Sequence, residues 1–91
     1  MVNAFTCTVY GHVQGVGFRY FVKNKADLHH LGGWVRNLSD GSVEILVNGP
    51  LEDLEQILHY IKAGPIGSQV DKTEIQWFQT ENELKTFEIR G

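Results

Sequence analysis

Apolar residues in this 91-residue chain recur with a period that switches between two and about 3.6 in a fixed order, and few folds satisfy that order. Phe5, Cys7 and Val9 alternate with Thr6, Thr8 and Tyr10, as in a half-buried strand. The segment Gly11–Gly17 is too glycine-rich for a regular element. From Phe18 the period lengthens, and Phe18, Phe21, Val22, Ala26 and His29 share one helical face before Gly32-Gly33 stops the chain. A strand from about Trp34 to Leu38 leads through Ser39-Asp40-Gly41 into Val43, Ile45 and Val47, and Asp-Gly between two apolar runs predicts a hairpin. Asn48-Gly49-Pro50 opens a second helix with the stripe Leu51, Leu54, Ile57, Leu58 and Ile61, ended by Gly64-Pro65. Val70 to Phe78 reads as a fourth strand whose phase slips near Lys72-Thr73, so it either starts late or carries a bulge. Phe87 and Ile89, flanked by Glu88 and Arg90, predict a short fifth strand.

The pattern is βαββαβ, a ferredoxin-like split βαβ sandwich of the α+β class. Two helices are expected on one face of a mostly antiparallel sheet, with the short fifth strand added. No linker, repeat or low-complexity tract divides residues 1–91, so a single domain is expected. That architecture serves enzymes, RNA-binding modules and metal carriers alike, and function has to come from a site.

Composition narrows the classes. The net charge of −3 argues against a domain dominated by nucleic-acid backbone contacts. It is unevenly spread: residues 1–37 hold Arg19, Lys23, Lys25 and Arg36 against Asp27 alone, and the remainder is acidic. One cysteine, Cys7, excludes an internal disulfide and a multi-thiolate zinc site, and its place on the apolar phase predicts an inert buried thiol. No signal peptide is read at the N-terminus, and no apolar run approaches the roughly 18 residues of a membrane span. A cytoplasmic monomer with no membrane or nucleic-acid partner is expected.

The glycine-rich loop is the most informative local feature. Glycines let backbone N–H groups turn inward, and a helix N-terminus adds unpaired donors and a favourable dipole. Arg19 stands in the first turn of that helix, where its planar fork can take two oxygens of one phosphate. The geometry is that of an anion cradle, but a plain strand-to-helix turn accounts for the glycines equally well. The Gly-x-Gly-x-x-Gly spacing and the Lys-Ser/Thr pair of nucleotide loops are both missing.

Gly11-His12-Val13-Gln14-Gly15-Val16-Gly17-Phe18-Arg19 resembles the acylphosphatase signature. Gly33-Trp34-Val35-Arg36-Asn37-Leu38, followed by Asp40-Gly41-Ser42-Val43-Glu44, is similar to that family's second signature at its usual distance. Gly64-Pro65, Val70 and Phe87–Arg90 resemble weaker markers, so the likeness covers nearly the whole chain. The resemblance implies hydrolysis of an acyl phosphate to a carboxylate and inorganic phosphate, without metal or other cofactor. It implies that Arg19 and Asn37 are catalytic, Asn37 holding the attacking water. The phosphate would be bound by Gln14, Gly15, Val16, Gly17, Phe18 and Arg19, chiefly through backbone amides.

The chemistry asks for little more. A carboxylate leaves without much help from a general acid, so the demand falls on binding the phosphoryl oxygens, meeting their charge and holding water in line. No Ser-His-Asp or Cys-His set is recognisable, and no acidic cluster suggests a Mg²⁺ site.

Two other functions fit parts of the same pattern. A binding module could use the same cradle for phosphate or carbamoyl phosphate without turnover, as the resemblance to the acylphosphatase-like domain of hydrogenase-maturation carbamoyltransferases would imply; that domain normally belongs to a much longer chain. An RNA-binding domain would need exposed aromatics and a basic sheet face, which Cys7, Val43, Ile45 and Val47 do not favour.

The remaining features have plain readings. Adjacent His29 and His30 point about 100° apart on a helix and cannot share a metal ion. They stand where the family usually has an aliphatic residue and a helix-ending glycine. His12 sits at a position often basic in the family. Lys23, Lys25 and Arg36 read as solvated charges that could also steer an anion. Trp34 and Trp77 read as core or sheet-face residues, and the glycosylation sequon Asn37-Leu38-Ser39 as chance.

Overall fold

A computed structural model describes residues 1–91. The elements run β1 (Val2–His12), α1 (Phe18–Leu28), β2 (Gly32–Asn37), β3 (Val43–Gly49), α2 (Leu51–Ala63), β4 (Gln69–Thr80) and β5 (Phe87–Arg90). The sheet order is β4-β1-β3-β2-β5. All neighbours are antiparallel except β2 and β5, which pair in parallel from Gly33–Phe87 to Arg36–Arg90. β3 therefore lies between β1 and β2, and β1 between β3 and β4, giving two interleaved split βαβ units. This is the expected ferredoxin-like α+β fold, with a mixed sheet.

The alternating strands and the helical stripes meet in one core. Phe5, Cys7 and Val9 from β1 and Val43, Ile45 and Val47 from β3 pack under Phe18, Val22 and Ala26 of α1 and Leu54, Ile57 and Ile61 of α2. Each of the larger side chains gains roughly 1.5–3 kcal/mol from leaving water. Leu51 departs from the expected α2 stripe: as the first helical residue it lies 48% exposed.

Two local expectations are settled by long-range contacts. The slipped phase in β4 is a bulge and not a late start: Tyr10 faces Lys72 while Gly11 faces Val70, which leaves Asp71 as the extra residue. Gly32-Gly33 does not stop α1. Both glycines belong to β2, where a Cβ at Gly32 would run into the Leu84 carbonyl and one at Gly33 into that of Leu46. The helix ends instead through His30, which adopts a left-handed φ of 56°. Leu31 N–H then donates to Ala26 O at 2.9 Å and His30 N–H to Asp27 O at 3.1 Å, the paired bonds of a Schellman motif.

Candidate active site

The register brings the ends of three strands together. Val43 opens β3 and pairs with Val9 of β1 on one side and with Asn37, the last residue of β2, on the other. The glycine-rich loop that follows β1 and the turn that follows β2 therefore emerge at the same end of the sheet.

In that loop Gly15 and Gly17 take φ values of 75° and 76°. A Cβ at either position would meet open space, so what requires glycine is the left-handed backbone and not crowding. Gly17 is the N-cap of α1 and, lacking a side chain, provides no cap hydrogen bond. No backbone N–H from Gln14 through Tyr20 finds a partner within the protein; the first to do so is Phe21, which donates to Gly17 O at 3.0 Å. A helix start normally gains about 1 kcal/mol from a capping side chain.

Charge at this helix start is arranged against the usual rule. The first turn of α2 carries Glu52 and Asp53, as the helix dipole favours. The first turn of α1 has no acidic residue and holds the half-buried Arg19 instead. Arg19 takes part in none of the protein's ion pairs or side-chain hydrogen bonds, whereas Arg36 is bound to Glu44 and Arg90 to Glu88. A cation beside unsatisfied N–H donors raises the energy of the free protein and suits a bound anion.

Asn37 supplies the complementary feature. Its Oδ1 is the only buried side-chain oxygen or nitrogen without a hydrogen-bond partner. A buried acceptor left without a partner in the protein costs roughly 1–3 kcal/mol, and such a cost is commonly carried by functional groups. Gln14 is placed differently from the simple cradle expectation. Its side-chain Nε2 donates to Leu38 O at 2.8 Å and to Ser42 O at 2.9 Å, so only its backbone N–H remains for an anion. The turn is closed by Asp40, whose Oδ1 accepts from Ser42 N at 2.9 Å and from Ser42 Oγ. Those bonds hold the Asp40 carboxyl below its ordinary titration range.

The other polar residues have structural work. Cys7 is fully buried, and desolvation pushes its thiol up to about 12. His29 Nδ1 lies 2.8 Å from Asp53 Oδ1, joining the end of α1 to the start of α2, and His30 is exposed. Lys23 and Lys25 are less free than surface charges: Lys23 reaches Asp27 and the Phe87 carbonyl, each at 3.0 Å, and Lys25 sits 4.2 Å from the Tyr60 ring centre. Trp77 meets Phe5 edge-on at 5.1 Å, and Trp34 lies beneath Arg36 and Arg90 on the sheet. No three His, Cys, Asp or Glu side chains come close enough to hold a metal ion together. No helix is long and apolar enough to cross a membrane.

The family model described as acylphosphatase matches residues 5–89. An acylphosphatase of Koribacter versatilis is 47% identical over 83 residues, covering 91% of this chain and 76% of that protein. The crystal structure of an acylphosphatase from Bacillus subtilis superposes with a TM-score of 0.94 at 38% identity, covering 98% of this chain and 99% of that one. Full-length HypF in a phosphate- and nucleotide-bound form superposes with a TM-score of 0.86 at 33% identity, covering all of this chain but 12% of that one.

Proposed function

The chain belongs to the acylphosphatase family and is an acyl phosphate hydrolase, and from that premise we propose how its residues divide the reaction. Arg19 and the backbone N–H groups of Gly15, Val16, Gly17, Phe18 and Arg19 hold the phosphoryl group, with the Gln14 amide at the edge of the cradle. Asn37 Oδ1 accepts a hydrogen bond from the attacking water and holds it in line with the leaving oxygen.

The reaction then needs few other groups. Water forms a bond to phosphorus as the bond to the acyl oxygen breaks, and the electron pair leaves on a carboxylate. With an ordinary carboxyl pKa near 4, that group departs at neutral pH without being protonated. Charge gathering on the phosphoryl oxygens meets the guanidinium and the N–H dipoles, which are already oriented. An amide oxygen is too weak a base to take the water's proton, so it passes to a substrate oxygen, as the family's substrate-assisted mechanism supposes.

What supports the cradle most directly is the run of unpaired N–H groups from Gln14 to Tyr20, set beside an arginine with no carboxylate partner. The non-catalytic alternative accounts for the cradle but gives the unpartnered Asn37 Oδ1 nothing to do. We read the protein as a cytoplasmic monomer acting on small acyl phosphates, since its one cysteine is buried and unpaired and its core closes within one chain. The test is hydrolysis of benzoyl phosphate with EDTA present: a rate well above buffer is expected, and a rate equal to buffer would overturn the assignment.

A further inference from the structure

We propose that the Gln14 side chain is a positioning residue, one that sets the distance between the phosphate cradle and the water-holding Asn37; this rests on the role assigned to Asn37 above. Leu38 and Ser42 flank the turn just beyond Asn37 and Val43, the last pair of the β2–β3 ladder. One bond between them forms, from Leu38 N–H to Ser42 O at 2.9 Å. The reciprocal bond does not, because Ser42 N–H is turned to Asp40. Leu38 O accepts instead from Gly41 N–H at 3.2 Å, and Gln14 Nε2 adds a second bond to each of the two carbonyls, at 2.8 and 2.9 Å.

The connection is short at both ends. Leu38 is bonded directly to Asn37, and Gln14 directly to Gly15, the first cradle residue. On its other side Val13 is buried at 1% exposure, which fixes the backbone from which Gln14 reaches. No other side-chain hydrogen bond links the loop 13–17 to the turn 38–42. An amide suits the task because its two N–H groups diverge from one nitrogen and can satisfy two carbonyls at once. A carboxylate would be repelled by them.

The cradle itself does not depend on this link. The left-handed glycines and the start of α1 keep their N–H groups oriented without it. Removing the link therefore frees the turn to drift and carries Asn37 away from in-line geometry, while phosphate still binds. A misplacement of about 1 Å can cost on the order of 100-fold in rate.

Gln14→Met keeps the length and loses the donors, while Gln14→Asn keeps the donors on a stem too short to span. Both are compared with wild type and Asn37→Ala for kcat on benzoyl phosphate, inorganic phosphate affinity by titration calorimetry, and thermal midpoint. The expected result is a kcat lowered by about 10- to 100-fold in both Gln14 variants, with phosphate affinity within twofold of wild type. Phosphate affinity falling in step with kcat would assign Gln14 to the cradle and overturn the inference. So would a wild-type kcat in folded Gln14→Met alongside an inactive Asn37→Ala. A wild-type kcat in Asn37→Ala would instead overturn the water-holding role, and Gln14's role with it. Should Gln14→Met not fold, Gln14→Asn decides alone.

Discussion

Arg36 Nη2 lies 2.6 Å from Glu44 Oε1 on the adjacent strand, so its guanidinium is already engaged within the protein. Arg90 is likewise committed to Glu88, at 3.3 Å. Arg19 alone among the three arginines has no carboxylate. Charge-assisted bonds of the kind it can offer are worth roughly 1.5–3 kcal/mol each. Arg19→Ala is therefore expected to weaken inorganic phosphate binding by about 10- to 100-fold, with turnover falling alongside. Calorimetric titration reads this directly, and unchanged affinity would mean that the cradle lies elsewhere. Arg19→Lys should recover only part of the loss, because an ammonium is a point charge without the planar fork.

Asn37→Ala separates binding from reaction. Its oxygen has no partner inside the protein, and it is assigned to the water and not to the phosphoryl group. Turnover should fall by about 10²–10³, the scale on which removing one preorganised polar group acts. Phosphate affinity should stay at the wild-type value. Retained turnover in the folded variant would remove Asn37 from the mechanism.

The end of α1 carries a cost unrelated to catalysis. His30 holds a φ of 56°, which is unfavourable for a side chain with a Cβ by roughly 1 kcal/mol. His30→Gly should stabilise the fold by about that amount and raise the thermal midpoint by about 4–8 °C. Activity should not change, because the residue lies at the opposite end of the helix from Arg19. A lower midpoint would show that His30 makes a compensating contact.

A pH effect is expected at the β1–β4 pair. The Tyr10 hydroxyl donates to Glu74 Oε1 at 2.7 Å. That bond lowers the Glu74 carboxyl below its ordinary range and raises the Tyr10 phenol above its own. Stability from Glu74 is present above the ordinary glutamate range and is lost as pH falls through the lowered folded value. Stability from Tyr10 is present below the ordinary phenol range and is lost as pH rises through the raised one. The pair thus supports the fold across neutral pH and fades at both extremes. Glu74→Gln should move one of the three tyrosine titrations downward in ultraviolet absorbance, and an unmoved titration would show that the bond is not made in solution.

Much of this was legible because it is written locally. The alternation at Phe5–Val9 and Val43–Val47, the stripes of α1 and α2 and the Asp40-Gly41 turn are set by neighbours within a few residues, and each became the expected element. The same holds for Gly15 and Gly17, whose backbone freedom is a property of glycine itself. The doubtful phase of β4 stayed open because a bulge is defined by the facing strand: Asp71 is extra only relative to Tyr10 and Gly11. Gly32-Gly33 misled for a similar reason. Two glycines after an apolar stripe resemble a helix stop, but here they make room for the backbone at Leu84 and Leu46, far away in sequence.

The charged residues show the same division. A count places Arg19, Lys23, Lys25 and Arg36 together in the first part of the chain without distinguishing them. Pairing distinguishes them, and pairing follows from strand register and helix packing. The sequence by itself determined the order of elements, the phosphate-loop motif and the residue types the reaction requires, since these depend on covalent chemistry and short-range periodicity. Only the tertiary structure decided which arginine stays unpaired, which asparagine oxygen is buried without a partner, and that Gln14 bridges the loop to the turn. Gln14 reaches carbonyls 24 and 28 residues away, Arg36 meets Glu44 through strand register, and the surroundings of the Asn37 oxygen are set by packing, none of which short-range periodicity encodes.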